Sequence, residues 1–293
     1  MSLLPIRPAK SALRLGAILL PLSLAVSACA GGSGPASAQV MTAPAPTYAD
    51  LVSMAEAAPI VVEVEIRDQA VLEPERAPGL QPGMARVYIE SSTVNLLKGP
   101  SAVGGEFAFL ADVPLNAKGK VSKMKEQRWL LFARPVAGNP GQLQLIDPEA
   151  YLPAIPTEVA RTRAVIAELV DPAAPPVVTG VNEVITVEGN LAGESETQMF
   201  LSTRSDAPVS ITVVRRPGML PSWGVSWSEI VDQSARPPQR DTLEWYRLAC
   251  GLPPALSSEA FLQGDAAARR MGQDDFAFVL EQLGPCNRTR AAS

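Results

Sequence analysis

The sequence predicts a β-rich α+β fold, in which a small five-stranded barrel is followed by an antiparallel β-meander and a helical C-terminal tail. Short runs of alternating apolar and polar residues recur along the chain, and glycine- and proline-rich turns separate them. Proline accounts for 28 of 293 residues, close to double its usual share of about 5%, which disfavours a helical bundle. The helical segment with the clearest start and stop signals lies near the C-terminus.

The first 28 residues have the features of an export signal. Arg7, Lys10 and Arg14 precede a short apolar run over residues 15–26, and small residues follow it. This order of positive, apolar and small residues is typical of a secretory signal peptide. The run is too short to cross a bilayer as a permanent helix, which needs about 20 apolar residues.

The end of this signal, Val26-Ser27-Ala28-Cys29, resembles the lipobox of bacterial lipoproteins. In that family a peptidase cuts before the cysteine, whose thiol carries diacylglycerol. The resemblance implies lipid attachment at Cys29. Because Ala30 stands where an Asp would retain the protein in the inner membrane, it also implies an outer-membrane lipoprotein on the periplasmic side of the cell envelope. Ordinary cleavage, at Ala28-Cys29-Ala30 or Ala36-Ser37-Ala38, is the alternative and would release a soluble periplasmic protein.

Residues 29–46 are predicted to be a flexible tether, because the segment 31–46 has neither hydrophobic periodicity nor charge. Sixteen flexible residues span about 20–25 Å root-mean-square, which would hold a folded domain close to a lipid surface.

Residues 47–150 are predicted to form a barrel domain. A short helix capped by Thr47 comes first, and five strand-like segments follow it. These segments are residues 60–67, 85–97, 107–109, 128–134 and 142–145. In the second segment the apolar phase changes after Ile89, which predicts a bulge near Ser91 and Ser92. Five strands with a long, bent second strand indicate a closed barrel of the OB type.

Two further resemblances concern shape and origin. The long strand ends in Leu97-Lys98-Gly99 and a later one in Leu131-Phe132-Ala133, a pattern that resembles the netrin/TIMP-like variant of the OB barrel. That family's cysteines are missing here, and the resemblance implies the barrel shape but no activity. The phrases at residues 193–198 and 245–250 resemble those of uncharacterised bacterial exported proteins, a family that implies no activity either.

The second half begins with residues 151–176, predicted to be a helix over 157–170 and a linker. Residues 177–235 are predicted to be an antiparallel meander, because four strand-like segments follow one another with short turns. These segments are residues 178–188, 196–202, 209–215 and 223–230.

The helical tail is predicted over residues 236–293. Its first helix starts with a capping-box pattern, Asp241 to Glu244, and its last helix covers residues 275–283. Cys250 and Cys286 remain once Cys29 carries lipid, and an even pair in an oxidising compartment indicates a disulfide that joins the two tail helices. Two free buried thiols are the alternative.

Composition narrows the chemistry that the protein can perform. The chain has no histidine, which excludes Ser-His-Asp triads, Cys-His dyads and histidine metal sites. The formal net charge of −5 argues against a nucleic-acid partner, since such proteins normally present a basic face. Nothing in the sequence predicts a cofactor or a metal ion.

One segment is strongly basic in this acidic chain, and its residues are Lys118, Lys120, Lys123, Lys125 and Arg128. We interpret it as a candidate contact for an anionic ligand, namely phosphate-bearing lipid or polysaccharide. An ordinary solvated loop is the alternative.

Three other patterns favour structural roles. Ser122 to Lys125 fits the S-x-x-K motif of penicillin-recognising enzymes, but the companion motifs are missing. Glu63 and Glu65 share a strand face at a spacing of about 6.5–7 Å that inverting glycosidases use, and we expect a solvated surface there. Trp223, Val225 and Trp227 alternate onto one face, where burial in the meander core is favoured over an exposed platform for sugars.

These observations predict an exported, lipid-anchored cell-envelope protein with a non-catalytic binding or structural role. Its partners would be membrane lipid, through the N-terminal anchor, and an envelope protein or polysaccharide, with no nucleic acid. The alternative is a carboxylate-dependent hydrolase of envelope glycans or peptides. An enzyme of that kind needs two converging carboxylates, one with a raised pKa, whereas a binding module needs only an exposed groove.

Overall fold

The computed structural model of the chain describes residues 45–100, 104–228, 236–262 and 264–290. The predicted signal peptide, Cys29 and all of the tether except its last two residues lie outside these ranges. Residues 229–235, the end of the predicted meander, lie outside them as well. Within the described residues, no helix is long and apolar enough to cross a bilayer.

The first half of the described chain builds a closed barrel. Its elements are α1 (Tyr48–Ala57), β1 (Ile60–Val71), β2 (Met84–Lys98), β3 (Glu106–Pro114), β4 (Arg128–Val136) and β5 (Asn139–Leu145). The strands are ordered β1-β2-β3-β5-β4, and β4 pairs back onto β1 to close the ring. β3 and β5 run parallel, whereas the other neighbouring pairs of the ring are antiparallel. The predicted five-stranded barrel of OB type is therefore confirmed.

The barrel closes around apolar side chains, which alternate with outward side chains along the first part of β2 and of β3, whereas β1 and β4 are buried in both phases over much of their length. Val62 and Val64 of β1, Val87 and Ile89 of β2 and Leu131 of β4 are fully buried, and Phe109 of β3 is 2% exposed. Side chains of the opposite phase on β2 and β3 point away from this core. β6 (Tyr151–Pro153) adds a short outer pairing to β4, where the rings of Tyr151 and Trp129 stack with centroids 4.2 Å apart.

The bulge that bends the long hairpin lies opposite the expected position. Ile66 pairs with Ser91 and Asp68 pairs with Glu90, so Arg67 of β1 is the extra residue at this point. Further irregularities place extra residues at Val94 and Leu97 of β2. These irregularities account for the change of apolar phase along β2.

Three helices pack together beside the barrel: α1, α2 (Pro156–Val170) and α3 (Leu243–Ala249). Thr47 and Asp50 form a capping box at the start of α1, as the sequence predicts for Thr47. Glu168 of α2 accepts hydrogen bonds from the Tyr48 hydroxyl at 2.6 Å and from the Leu243 backbone N–H at 3.0 Å. One carboxylate therefore joins all three helices.

The second sheet contains β7 (Val178–Glu188), β8 (Ser195–Thr203), β9 (Val209–Arg215) and β10 (Ser222–Ser226), paired in sequence order and antiparallel. The predicted meander is confirmed. α4 (Ala266–Leu283) packs on this sheet at Gly272, where an added Cβ would lie 2.9 Å from the Phe261 ring and 3.1 Å from Val184. Only glycine allows the helix to approach the sheet this closely at that position.

The helical tail is joined by the predicted disulfide. Cys250 follows the last residue of α3, and Cys286 follows α4 after two intervening residues. The segment after Cys286 then lies on α1, where Thr289 donates its backbone N–H and its hydroxyl to Asp50. The tail thus links the second sheet's helix to the helices beside the barrel.

Candidate functional site

A groove of about 930 Å³ runs over the outer face of the barrel. Its floor comes from β2, β3 and β5, and the end of β1 with the following turn forms one wall. The lining includes the side chains of Val71, Glu73, Arg76, Arg86, Tyr88, Leu110, Gln142 and Gln144. The groove is an open site rather than an enclosed cavity, because it lies on the outer face of the strands.

The groove side chains face outward because they occupy the phase opposite to the core. Tyr88 pairs across the β2–β3 ladder with Leu110, while their neighbours Val87, Ile89 and Phe109 point into the barrel. Gln142 and Gln144 are exposed on β5 and follow the same alternation.

The groove combines exposed apolar surface with uncharged polar groups. Leu110 is 44% exposed and Val71 is 55% exposed, so both present apolar surface to the groove. The Tyr88 ring is half-buried, and the amides of Gln142 and Gln144 are exposed. Apolar surface with a few hydrogen-bonding groups fits a ligand with apolar faces and hydroxyl or amide groups, such as a sugar chain or an extended peptide.

An ion pair fixes one side of the groove. The guanidinium of Arg86 donates two hydrogen bonds to Asp112, from Nε at 2.7 Å and from one terminal nitrogen at 2.8 Å. These hydrogen bonds raise the pKa of Arg86, so it stays cationic. Because Asp112 already occupies this guanidinium, Arg86 positions the wall and is not a free anion receptor.

Carboxylates do not converge in the groove. Glu73 is the one carboxylate among the described residues that line it. Glu63 and Glu65 lie on β1 outside the groove, and Arg128 approaches both, at 3.8 Å and 3.6 Å. Glu63 is only 8% exposed, so the expected solvated surface is wrong for that residue, which pairs with Leu130 of β4 and lies beside Arg128.

The predicted basic segment lies in the loop between β3 and β4. Lys118, Lys120, Lys123 and Lys125 are all exposed there, and Arg128 begins β4 beside Glu63 and Glu65. The structure therefore places the four lysines in one loop and directs Arg128 toward two carboxylates. The loop lies at the same barrel end as the connection from β1 to β2. A hydrogen bond joins the two, in which the Leu115 N–H donates to Gly83 O at 2.8 Å.

The other sequence candidates occupy structural positions. In the S-x-x-K segment Ser122 and Lys125 are exposed in the loop, while Met124 is buried in the barrel core. Trp223 and Val225 are each 7% exposed, as expected for core residues, and Trp227 is half-buried. Among the described residues, no group of three or more Asp, Glu or Cys side chains is placed to hold a metal ion.

The groove itself was not predicted from the sequence. β3 carries a readable signal, because Phe107 to Ala111 is apolar in both phases although only one phase can face the core. An apolar outward phase on a barrel strand indicates a covered or ligand-contacting face. The paired positions on β2 and β5 depend on the register between strands, which a single sequence does not give.

Comparison with known proteins does not indicate a function for the groove. The chain matches no protein-family model and no curated protein.

Proposed function

We propose that this protein is a non-catalytic binding module of the bacterial cell envelope, anchored through lipid on Cys29, and that the barrel groove is its ligand site. The single observation that carries the binding role is the open groove of about 930 Å³, in which Leu110 and Val71 are exposed beside Tyr88 and two glutamine amides. The ligand class that this surface favours is an envelope glycan or an extended peptide.

The content of the groove favours binding over hydrolysis. Glycoside hydrolysis generally uses two carboxyl groups about 5–9.5 Å apart. Among the described residues that line the groove, Glu73 is the one carboxylate. Asp112, which lies next to the groove, forms an ion pair with Arg86. A histidine cannot supply the missing acid or base, because the chain has none.

Two observations support export to the periplasmic side of the outer membrane. The first is the signal and lipobox pattern that ends at Cys29, with Ala30 after it. The second is the disulfide between Cys250 and Cys286, because disulfides persist in oxidising compartments and are rare in the cytosol.

The groove is tested by photo-crosslinking in intact envelopes. A benzoylphenylalanine replaces Leu110 in the groove, and in the control it replaces Ile155, which is 51% exposed and does not line the groove. We expect glycan or peptide adducts at Leu110 and none at Ile155, as read by mass spectrometry of tryptic fragments. Equal labelling at the two positions, or no adduct at Leu110, would contradict the groove as the ligand site.

A second experiment distinguishes binding from hydrolysis. Purified protein is incubated with envelope glycans and peptides, and released fragments are measured for the wild type and for Glu73→Gln. We expect no fragments from either protein. Fragments that depend on Glu73 would establish the hydrolase instead.

The anchor is tested by mass spectrometry of the mature N-terminus and by Cys29→Ser. We expect an acylated N-terminal peptide that begins at Cys29, and its loss in the variant. An unmodified N-terminus after Ala30 or Ala38 would replace the lipid anchor with ordinary secretion.

A further inference from the structure

The lysines of this protein have an unusual distribution. The chain has six, of which Lys10 precedes the predicted apolar run of the signal, and four lie in the eight residues from Lys118 to Lys125. The remaining one, Lys98, donates its ammonium to Ala55 O at 2.6 Å and to Ala58 O at 2.9 Å, at the end of α1. Every exposed lysine of the described residues therefore lies in the loop between β3 and β4.

The loop that carries the four ammonium groups contains a single carboxylate, Glu126. In the described part of the chain, none of them forms an ion pair with a carboxylate. By contrast, Arg86 and Arg128 on the same barrel are both directed to acidic partners. The loop is thus a concentrated positive surface on a chain whose formal net charge is −5.

The backbone that carries these lysines is held in place. Asn116 accepts the backbone N–H groups of Lys118 and Lys120 at its Oδ1, at 2.9 Å and 3.2 Å, which closes the first turn of the loop. Gln69 of β1 then accepts the Met124 N–H and donates to Ser122 O. Because Met124 is also buried in the core, the ammonium groups are presented from a fixed base and less backbone entropy is lost when they bind.

We propose that this loop is a docking surface for an anionic phospholipid bilayer and that it sets which side of the body faces the membrane. The rest of the body is acidic and is repelled by a negative surface, so this loop is the side that such a surface attracts. Lysine suits this partner because its ammonium is a point charge that needs no bidentate geometry, and lipid phosphates are laterally mobile. None of the four lysines lines the groove, so the contact of the lysines with phosphate does not itself occupy the groove.

The reach of the tether is compatible with simultaneous anchoring and docking. The loop lies at the barrel end opposite α1. α1 precedes Ile60 at the start of β1, and the loop contacts Gln69 near its end, so nine residues of strand separate them by about 30 Å. Residues 29–44 precede the first described residue, and a chain of that length can span up to about 55 Å. The inference uses the proposed export only to provide the membrane, and the binding measurement below does not depend on the anchor.

The test measures binding to vesicles by the complete mature chain without acyl groups, made with an ordinary cleavable signal in place of residues 1–28 and with Cys29→Ser. Vesicles contain phosphatidylcholine alone or with phosphatidylglycerol. We expect binding only to the anionic vesicles, lost in high salt. Changing Lys118, Lys120, Lys123 and Lys125 to Gln should weaken it by about 600-fold, since one lysine at an anionic surface contributes about fivefold and the four factors multiply.

The matched control changes four exposed arginines elsewhere to Gln, namely Arg163, Arg204, Arg216 and Arg270, and removes the same charge. We expect the control to bind like the parent. An equal loss in both variants would assign binding to net charge and overturn the proposal, as would binding to neutral vesicles or no binding at all.

Lysine acetylation read by mass spectrometry gives the location of the contact. Lys98 is half-buried with its ammonium bonded to Ala55 O and Ala58 O, so it serves as the internal reference, and protection by anionic vesicles should be confined to residues 118–125. Inositol hexakisphosphate is the competing soluble probe. If it binds as tightly as the vesicles at equal phosphate concentration, the surface takes soluble polyphosphate and the lipid assignment fails. Loss of groove crosslinking with intact vesicle binding would affect only the proposed function.

Discussion

Asp275 is a single buried residue on which the packing of α4 depends. It is fully buried, and its carboxylate accepts hydrogen bonds from Thr197 Oγ1 of β8 at 2.5 Å and from Arg215 Nε of β9 at 2.6 Å. The helix is therefore joined to two strands through one side chain. Removal of the Asp275 carboxylate leaves the partly buried guanidinium of Arg215 without this acceptor, and the Thr197 hydroxyl then has Thr186 Oγ1 as its remaining partner at 3.0 Å.

We expect Asp275→Ala to lower the free energy of unfolding by about 3 kcal/mol, measured by urea denaturation, because the buried polar groups lose their acceptor. The matched control is Asp274→Ala, the exposed neighbour on the same helix, which should change stability by less than about 0.5 kcal/mol. Equal effects of the two substitutions would mean that the buried ion pair contributes little.

Asp50 gives the protein a titrating contact at its C-terminal segment. Burial alone would raise the pKa of this carboxyl, but hydrogen bonds from the Thr289 hydroxyl and from the backbone N–H groups of Thr47, Thr289 and Arg290 outweigh burial. The pKa of Asp50 therefore lies below its ordinary value. A depressed pKa means that the ionised carboxylate stabilises the folded state, so this stabilisation is present above the unfolded pKa and is lost as the pH falls.

The prediction for Asp50→Asn follows from that sign. At pH 7 the variant should lose about 1–2 kcal/mol of stability, since it replaces charged hydrogen bonds by neutral ones. As the pH falls below about 4, the wild type loses this contribution and the two proteins should converge. Urea denaturation between pH 3 and 7 measures the difference, and a constant offset across that range would contradict the assignment.

Among the elements, the C-terminal tail depends most on one covalent link. The disulfide closes a loop with a sequence separation of 36, and beyond Cys286 the chain lies on α1 through Thr289 and Arg290. Chain entropy assigns a loop of this length about 4 kcal/mol, less any strain in the folded state.

We expect the double change of Cys250 and Cys286 to Ser to lower the free energy of unfolding by about 2–4 kcal/mol. Hydrogen exchange should show faster exchange of the Thr289 and Arg290 amides than in the oxidised wild type, because these amides depend on the position of the tail. The barrel amides of β1 serve as the internal control. Unchanged exchange at Thr289 would mean that the contact with Asp50 holds the tail without the disulfide.

The elements also show what the sequence could and could not predict. Strand alternation predicts β7 and β9 to the residue, because each is bounded by turn residues and carries branched apolar side chains. α4 begins nine residues before the predicted start, with Asp265 as its cap. The sequence does not indicate this earlier start, because the first turns contain Arg269, Arg270 and Gly272 and the apolar stripe starts only at Phe276. Likewise the cap of α3 is Thr242, because Asp241 adopts a positive φ of 59°.

At the scale of the whole molecule, α3 couples the two halves. Arg247, only 6% exposed on its side chain, forms an ion pair with Glu56 of α1 at 2.7 Å and donates to Pro175 O before β7 at 3.1 Å. The barrel and the second sheet are both continuous with one buried apolar cluster. We therefore expect the described chain to unfold as one cooperative unit.

Hydrogen exchange measured in increasing denaturant tests this coupling. Arg247→Ala should destabilise the peptides of β1 and of β8 by the same amount, about 2–3 kcal/mol, because one transition exposes both. The control Arg163→Ala, on the exposed side of α2, should leave both unchanged. Destabilisation of β8 alone would show that the two halves unfold separately.

The groove was the hardest part to predict, because its residues are far apart in the sequence and come together only in the folded barrel. The lysine loop is contiguous in sequence, so composition alone identifies it. Tyr88, Leu110 and Gln144 lie on three different strands, and only the closed order of the barrel brings them together. Arg128 belongs to the same basic run in sequence but lies beside Glu63, because β4 pairs with β1.

The contact between Thr47 and Asn287, in which the Thr47 hydroxyl donates to Asn287 O at 2.9 Å, brings the two ends of the described chain side by side. Such proximity suits circular permutation. A short linker could join residues 290 and 45, and new termini could open in the exposed turn between β9 and β10, where Leu220 is 90% exposed. A reporter fused after residue 290 would likewise emerge beside residue 45, where the described chain begins.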